Sequence, residues 1–213
     1  QNKNHWFFNV DSIPLLAKEI LSAFESNRMF VLYKLDKNTA TNLHDISSYG
    51  VVSDNIYKYI TKEESKDVQK GITKLIKDAK IDKNSSVETQ IRKTEDYIKR
   101  NYFYINNSAP ELADLSFILK NKIGNEDGLL KFYCLIFRNL NIDFQIVLTS
   151  DKTIIRFDKE FEANNFLTDF LFYFPSIDKY MSHIELDSRL GYPPAELTNN
   201  YGLFIKEVAI GDN

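Results

Sequence analysis

The chain has 213 residues, which fits one large domain or one domain with an appendage. Hydrophobic residues make up 43% of it, enough for a buried core, and a charged fraction of 27% with a net charge of −3 argues against disorder. Lys and Arg are scattered without a basic block and no segment holds ~18 uninterrupted apolar residues, so we expect neither a nucleic-acid surface nor a membrane span.

The first 45 residues read as a linker-like extension. Residue 1 is Gln rather than Met, so we expect the chain to be a piece of a longer protein. Helical propensity is highest over 15–25, the β-branched and aromatic stretch 29–35 predicts a strand, and 37–45 is a polar loop.

The next part of the chain, from Ser47 to Tyr104, is predicted to be helical. The patterns Thr61-x-x-Glu64 and Ser85-x-x-Glu88 are typical of capping boxes, and Ser53 can cap a shorter helix before them. Apolar residues then recur at helical spacing: Val68, Ile72, Leu75, Ile76, Ala79, Val87, Ile91, Ile98 and Tyr102. A short helix over 112–122 follows.

Residues 126–140 form the most apolar predicted helix, which indicates that it is buried on most sides. Strand-like stretches come after it, at 144–149, 154–157, 169–174 and 202–210. Helices followed by strands indicate an α+β fold. We expect the buried central helix to pack on an antiparallel sheet.

The segment from Lys122 to Glu126 reads Lys-Ile-Gly-Asn-Glu, and the joint after the apolar helix reads Leu140-Asn141-Ile142. With the helix at 91–105, these residues resemble the transglutaminase-like family of the papain-like cysteine-protease fold, over about residues 86–205. The resemblance implies a transglutaminase-like domain over 46–213. It also implies that the extension 1–45 follows a β-rich domain.

The resemblance also implies which positions should carry the Cys-His-Asp triad of that family. Glu126 stands at the cysteine position, Asn164 or Asn165 at the histidine position, and Phe174 at the acid position. A cysteine nucleophile needs a thiolate, a base and an orienting acid, and none of these three residues supplies its role. The chain is therefore identified as a degenerate member without the triad.

Glu126 itself is expected to stabilise the helix that it begins. Asn125 is a suitable N-cap, and a carboxylate in the first turn interacts favourably with the helix dipole. We therefore expect Glu126 to stay ionised with a lowered pKa, and Glu126→Gln to cost ~0.3–1 kcal/mol.

Two catalytic alternatives remain. A hydrolase could use Glu126 with the acidic run Asp158, Glu160 and Glu162 as a carboxylate pair. A cysteine enzyme could use Cys134, the single thiol, with His183, which lies near Asp187; we expect Cys134 instead to be buried and inert.

No cofactor or metal is expected. The three histidines are scattered, one cysteine cannot build a Cys-rich zinc site, and the acids after Asp151 lack a calcium-loop pattern. The function that this sequence favours is a catalytically inactive binding or scaffolding module in a longer exported bacterial protein. Its partners would be a peptide, protein or glycan and other domains of the same chain. The resemblance alone implies the periplasm or cell surface.

Overall fold

A computed structural model describes residues 7–13, 15–17 and 23–206, and it is of mixed helix and sheet, as an α+β fold requires. The helices are α1 (Phe24–Asn27), α2 (Tyr49–Thr61), α3 (Lys66–Asp78), α4 (Val87–Asn101), α5 (Leu115–Asn121) and α6 (Glu126–Asn139). The strands are β1 (Lys37–Asn38), β2 (Leu43–His44), β3 (Phe103–Tyr104), β4 (Ile123–Gly124), β5 (Gln145–Thr149), β6 (Asp169–Phe174), β7 (Lys179–Met181) and β8 (Leu203–Ile205). None of the helices in these ranges is long and apolar enough to cross a membrane.

The helices α2, α3 and α4 begin at serines other than the ones predicted. Their N-caps are Ser48, Ser65 and Ser86, and each hydroxyl accepts a hydrogen bond from a first-turn N–H. The predictions at Ser53, Thr61 and Ser85 were wrong. Thr61 instead ends α2, where its hydroxyl donates to the carbonyl of Tyr57 at 2.6 Å. Several serines and threonines lie near each boundary, so the motif alone could not select the one that caps.

The apolar stripes of these helices were predicted correctly, apart from Ala79 and Val87, which are only partly buried. The buried members are Val68, Ile72, Leu75, Ile76, Ile91, Ile98 and Tyr102. They join α6 and the sheet in one continuous hydrophobic core. At ~1.5–3 kcal/mol for each fully buried large side chain, this core is the main source of the fold's stability.

The central helix α6 packs on an antiparallel sheet, which confirms the predicted relation between residues 126–140 and the strands at 144–149 and 169–174. The sheet has the order β7-β6-β5-β8, and every neighbouring pair is antiparallel. From α6, the ring of Phe137 meets those of Phe172 and Phe174 edge-on, with centroids 5.3 and 5.1 Å apart. Such edge-to-face pairs fix the helix on β6.

Gly128 allows the first turn of α6 to pack closely against the preceding chain. A Cβ at this position would lie 2.3 Å from the carbonyl oxygen of Leu112, which belongs to a 3₁₀ turn at Pro110–Ala113. No side chain fits that space. The glycine therefore sets the position of the helix N-terminus relative to its neighbours.

Two predicted strands are wrong. Residues 29–35 form no strand and pair with none among the described residues. Leu32 packs against a small apolar cluster, and Val31 and Tyr33 are exposed. Residues 154–157 form no strand, because 152–154 turn back on Asp151.

The other differences concern the ends of the chain and short strands that were missed. Of the helix predicted over 15–25, residues 18–22 lie outside the described residues, and only Phe24–Asn27 is helical. The strand predicted over 202–210 is seen as Leu203–Ile205, and 207–210 again lie outside. The short strands β1, β2, β3, β4 and β7 were not predicted.

Candidate acidic pocket at the start of α6

Asn125 caps α6, as predicted. Its side-chain oxygen accepts a hydrogen bond from the N–H of Gly128 at 2.9 Å, and its carbonyl accepts one from Leu129. The side chain of Glu126 accepts no hydrogen bond from any described residue. The first-turn N–H of Gly128 is therefore bonded to Asn125 and not to the carboxylate of Glu126.

A small cavity of about 70 Å³ lies beside Glu126. Five carboxylate residues line this acidic pocket: Glu126, Asp151, Asp169, Glu185 and Glu196. They come from the start of α6, the end of β5, the start of β6 and two loops. Of the described residues that line the pocket, none is Lys or Arg, and none of the five carboxylates forms an ion pair within the described chain.

The electrostatics of Glu126 contradict the expectation of an ionised helix cap. Burial raises its pKa to about 7, and the negative charges of Asp169, Asp127 and Glu185 act in the same direction. Desolvation and like charges both favour the neutral acid. With a pKa of about 7, Glu126 is partly protonated near neutral pH.

His183 lies behind the acidic pocket, immediately after β7. It is 2% exposed, and its Nε2 lies 3.3 Å from the carbonyl oxygen of Glu126. Its Nδ1 has no hydrogen bond of good geometry to the described residues. Burial lowers the pKa of the imidazole to about 4, so the ring is neutral at pH 7.

A buried ion pair holds the loop that carries His183 and Glu185. The ammonium of Lys99 lies 2.9 Å from Glu95 Oε1 and donates to the carbonyl of Ser188, also at 2.9 Å. The other oxygen of Glu95 accepts the N–H of Leu190 at 2.9 Å. Burial lowers the pKa of Lys99. The loop is thus fixed to α4 by bonds that water does not reach.

The structure does not bring the three predicted triad positions together. Asn165 lines a separate groove next to residues 30–32, although Asp151 and Asp169 also reach that groove. Phe174 is fully buried against Phe137, roughly 16 Å along the axis of α6 from Glu126 at 1.5 Å per residue. The assignment of Phe174 to the acid position was wrong, because β6 runs away from the start of α6.

Asp169 and His183 are the residues that stand close to Glu126, and sequence reasoning missed them in that role. The only sequence signal for Asp169 is its place at the start of a predicted strand. His183 had been considered solely as a base for Cys134.

The structure also shows where the residues of the two catalytic alternatives lie. Cys134 is fully buried, as predicted, and burial raises the pKa of its thiol to about 12. The ring contacts of His183 are with Tyr133, Phe170 and Phe172.

The acidic run lies elsewhere. Asp158 and Glu160 are exposed, and the carboxylate of Glu162 accepts the N–H of Tyr49 at 3.1 Å. None of the three lines the pocket of Glu126, so they do not form the carboxylate pair considered above.

Comparison of the chain with protein-family models, with curated proteins and with solved structures found no match. Over residues 7–13, 15–17 and 23–206, no group of three or more His, Cys, Asp or Glu side chains has the geometry to hold a metal ion.

Proposed function

We propose that this chain is a transglutaminase-like domain without acyl-transfer activity, and that it serves as a binding or scaffolding module in a longer exported bacterial protein. Its acidic pocket would accept a positively charged group of a peptide or protein partner. On the family resemblance, the module would act in the periplasm or at the cell surface.

The order of elements supports the proposed fold. The resemblance implies a nucleophile helix, then a strand, a strand with the histidine and a strand that ends at the acid. Here α6 is followed by β5, β6 and β7 in one antiparallel sheet. Asp169 at the start of β6 and His183 after β7 flank Glu126. With Glu, Asp and His at these places, the site has no thiol to form an acyl-enzyme.

The unpaired charge of the acidic pocket is the observation that carries the proposed binding role. Burial raises the pKa of Glu126, and the negative charges of Asp169, Asp127 and Glu185 raise it further, so an ionised Glu126 costs the fold stability. A ligand ammonium or guanidinium would relieve that repulsion and form charge-assisted hydrogen bonds. Binding of a cation is therefore the outcome that these charges favour most.

A second candidate function is hydrolysis with Glu126 as a general acid. The observation in its favour is the same pKa of about 7, because an acid titrating near the working pH transfers protons efficiently. Neighbouring carboxylates would then be available as the base. Turnover of a peptide or glycan that Glu126→Gln abolishes would identify this function and replace the binding role.

Calorimetric titration with a trilysine peptide tests the binding proposal, with the fully Nε-acetylated peptide as the uncharged probe. We expect the charged peptide alone to bind, and Asp169→Asn with Glu185→Gln to weaken it at least tenfold. The matched control is Asp67→Asn with Glu160→Gln, which removes the same charge from exposed positions. An equal loss of affinity for the charged peptide in both double variants, or equal binding of both peptides, would refute a specific cation site.

A further inference from the structure

A second charged cavity lies along the side of α6 that faces away from the sheet. It has a volume of about 570 Å³, within the range of small-molecule sites. Lys131, Leu135 and Arg138 lie on this side of the helix at the spacing of one face. The segment after α2 and the loop before α4 close the cavity, with Lys62 and Lys83 at its wall.

This basic pocket, defined by Lys62, Lys83, Lys131 and Arg138, concentrates positive charge in a chain whose net charge is −3. Two carboxylates oppose the four cations. Glu64 forms an ion pair with Lys131, and Glu63 is exposed. Two cationic charges therefore remain in excess over the carboxylates that line the cavity.

Three of the four cations are held in place by the fold. Arg138 donates through Nη1 to the carbonyl of Ile60 at 2.5 Å, and Lys83 donates to the carbonyl of Asn139 at 2.8 Å. The ammonium of Lys131 also lies 5.2 Å from the ring centre of Tyr59. Fixed donors lose little conformational entropy when a ligand arrives, which favours binding.

Donor capacity remains after these contacts. The guanidinium of Arg138 carries five N–H groups, and its Nε and Nη2 meet no acceptor within the part of the chain that the structure describes. The ammonium of Lys62 forms no hydrogen bond or ion pair there either. A structural role explains two of the hydrogen bonds: Arg138 and Lys83 each donate one to a carbonyl at the end of α2 or α6. This role explains neither the presence of Lys62 nor the N–H groups of Arg138 that have no acceptor.

We propose that the basic pocket binds an oxyanion, the phosphate or carboxylate group of a small molecule. Guanidinium and ammonium donors around one cavity match the oxygens of such a group, and charged hydrogen bonds of this kind are the strong ones. The pocket lies beside the other half of α6 from the acidic pocket, so this inference is independent of the function proposed above.

Titration of the protein with inorganic phosphate, and separately with glutarate, tests the proposal by NMR at an ionic strength held constant with sodium chloride. We expect saturable shifts of the amides near Arg138 and Lys62. Tighter binding of phosphate would identify a phosphorylated ligand, and tighter binding of glutarate a carboxylate ligand. If neither anion shifts these amides beyond chloride, the proposal fails.

The variant Lys62→Gln/Lys83→Gln should weaken the preferred anion at least tenfold. It changes exposed side chains and removes a single hydrogen bond, so the fold should persist. The matched control is Lys74→Gln/Lys77→Gln, which removes the same charge from the exposed side of α3. Equal weakening in the control, or unchanged affinity in the pocket variant, would show a general counterion effect and overturn the site.

Discussion

The two charged regions along α6 differ in how their charges are satisfied. At the start of the helix, carboxylates line one pocket without a cation, whereas farther along it Lys131 and Arg138 each have a partner within the fold. The sign of charge at each place is the one that the helix dipole favours. The difference teaches that position along the helix does not set the charge state alone, because burial and neighbouring acids raise the pKa of Glu126 at the helix start.

The same operation, removal of one charge, should therefore have opposite effects in the two regions. In the basic pocket, removal of the Lys131 charge should cost stability, because Glu64 is left without its counter-charge. In the acidic pocket it should add stability, because repulsion and desolvation are relieved.

The largest effect is expected for Lys131→Met. The side chains of Lys131 and Glu64 are 8% and 17% exposed, so the substitution leaves a largely buried carboxylate unpaired. We expect a loss of about 3 kcal/mol in the free energy of unfolding, measured by urea denaturation at pH 7. Lys74→Met, at an exposed site on α3, should stay within about 0.5 kcal/mol of the wild type. A similar small change for Lys131→Met would mean that water reaches the pair.

The next effect concerns His183 and pH. Its folded pKa of about 4 lies below the ordinary value of 6.5, so its contribution to stability is present above 6.5 and is lost as the pH falls toward 4. In the Glu126→Gln variant, we expect the free energy of unfolding to fall by about 2 kcal/mol between pH 7.5 and pH 5 because of His183. Adding His183→Phe should remove that slope, as measured by denaturation at each pH. A slope that survives would place the titration elsewhere.

The smallest effect is expected for Glu126→Gln, with the opposite sign. The folded pKa of about 7 lies above the ordinary value of 4.5, so stability is fully present below 4.5 and falls as the pH rises through 7. The variant should be about 1–2 kcal/mol more stable than the wild type at pH 8, after screening by water, and equal to it near pH 4.5. Glu160→Gln, at an exposed site, should show no such gain. A loss at pH 8 would restore the helix-cap interpretation.

Features encoded by local pattern could be predicted from the sequence. The helix at 126–140 is apolar on nearly every side, and Asn125 precedes it in the only good capping position, so both were found. The neighbourhood of Glu126 could not be predicted in the same way. Asp169 and His183 reach it through the pairing of β5 with β6 and of β6 with β7, and a long loop separates β5 from β6 in the chain.

The charge state of Glu126 could not be predicted from the local sequence, for the same reason. A helix N-terminus can be recognised in a sequence, but the degree of burial and the approach of Asp169 and Glu185 cannot. The segment 29–35 shows a related limit, because strand propensity does not say whether a partner strand is present.

Cys134 gives the protein a reporter of its own opening. It is the only thiol in the chain, it is fully buried in the middle of α6, and burial raises its pKa to about 12. A thiol reagent can modify it only in molecules whose core has opened around the central helix. The rate of labelling therefore measures the population of those opened molecules under native conditions, without an engineered probe.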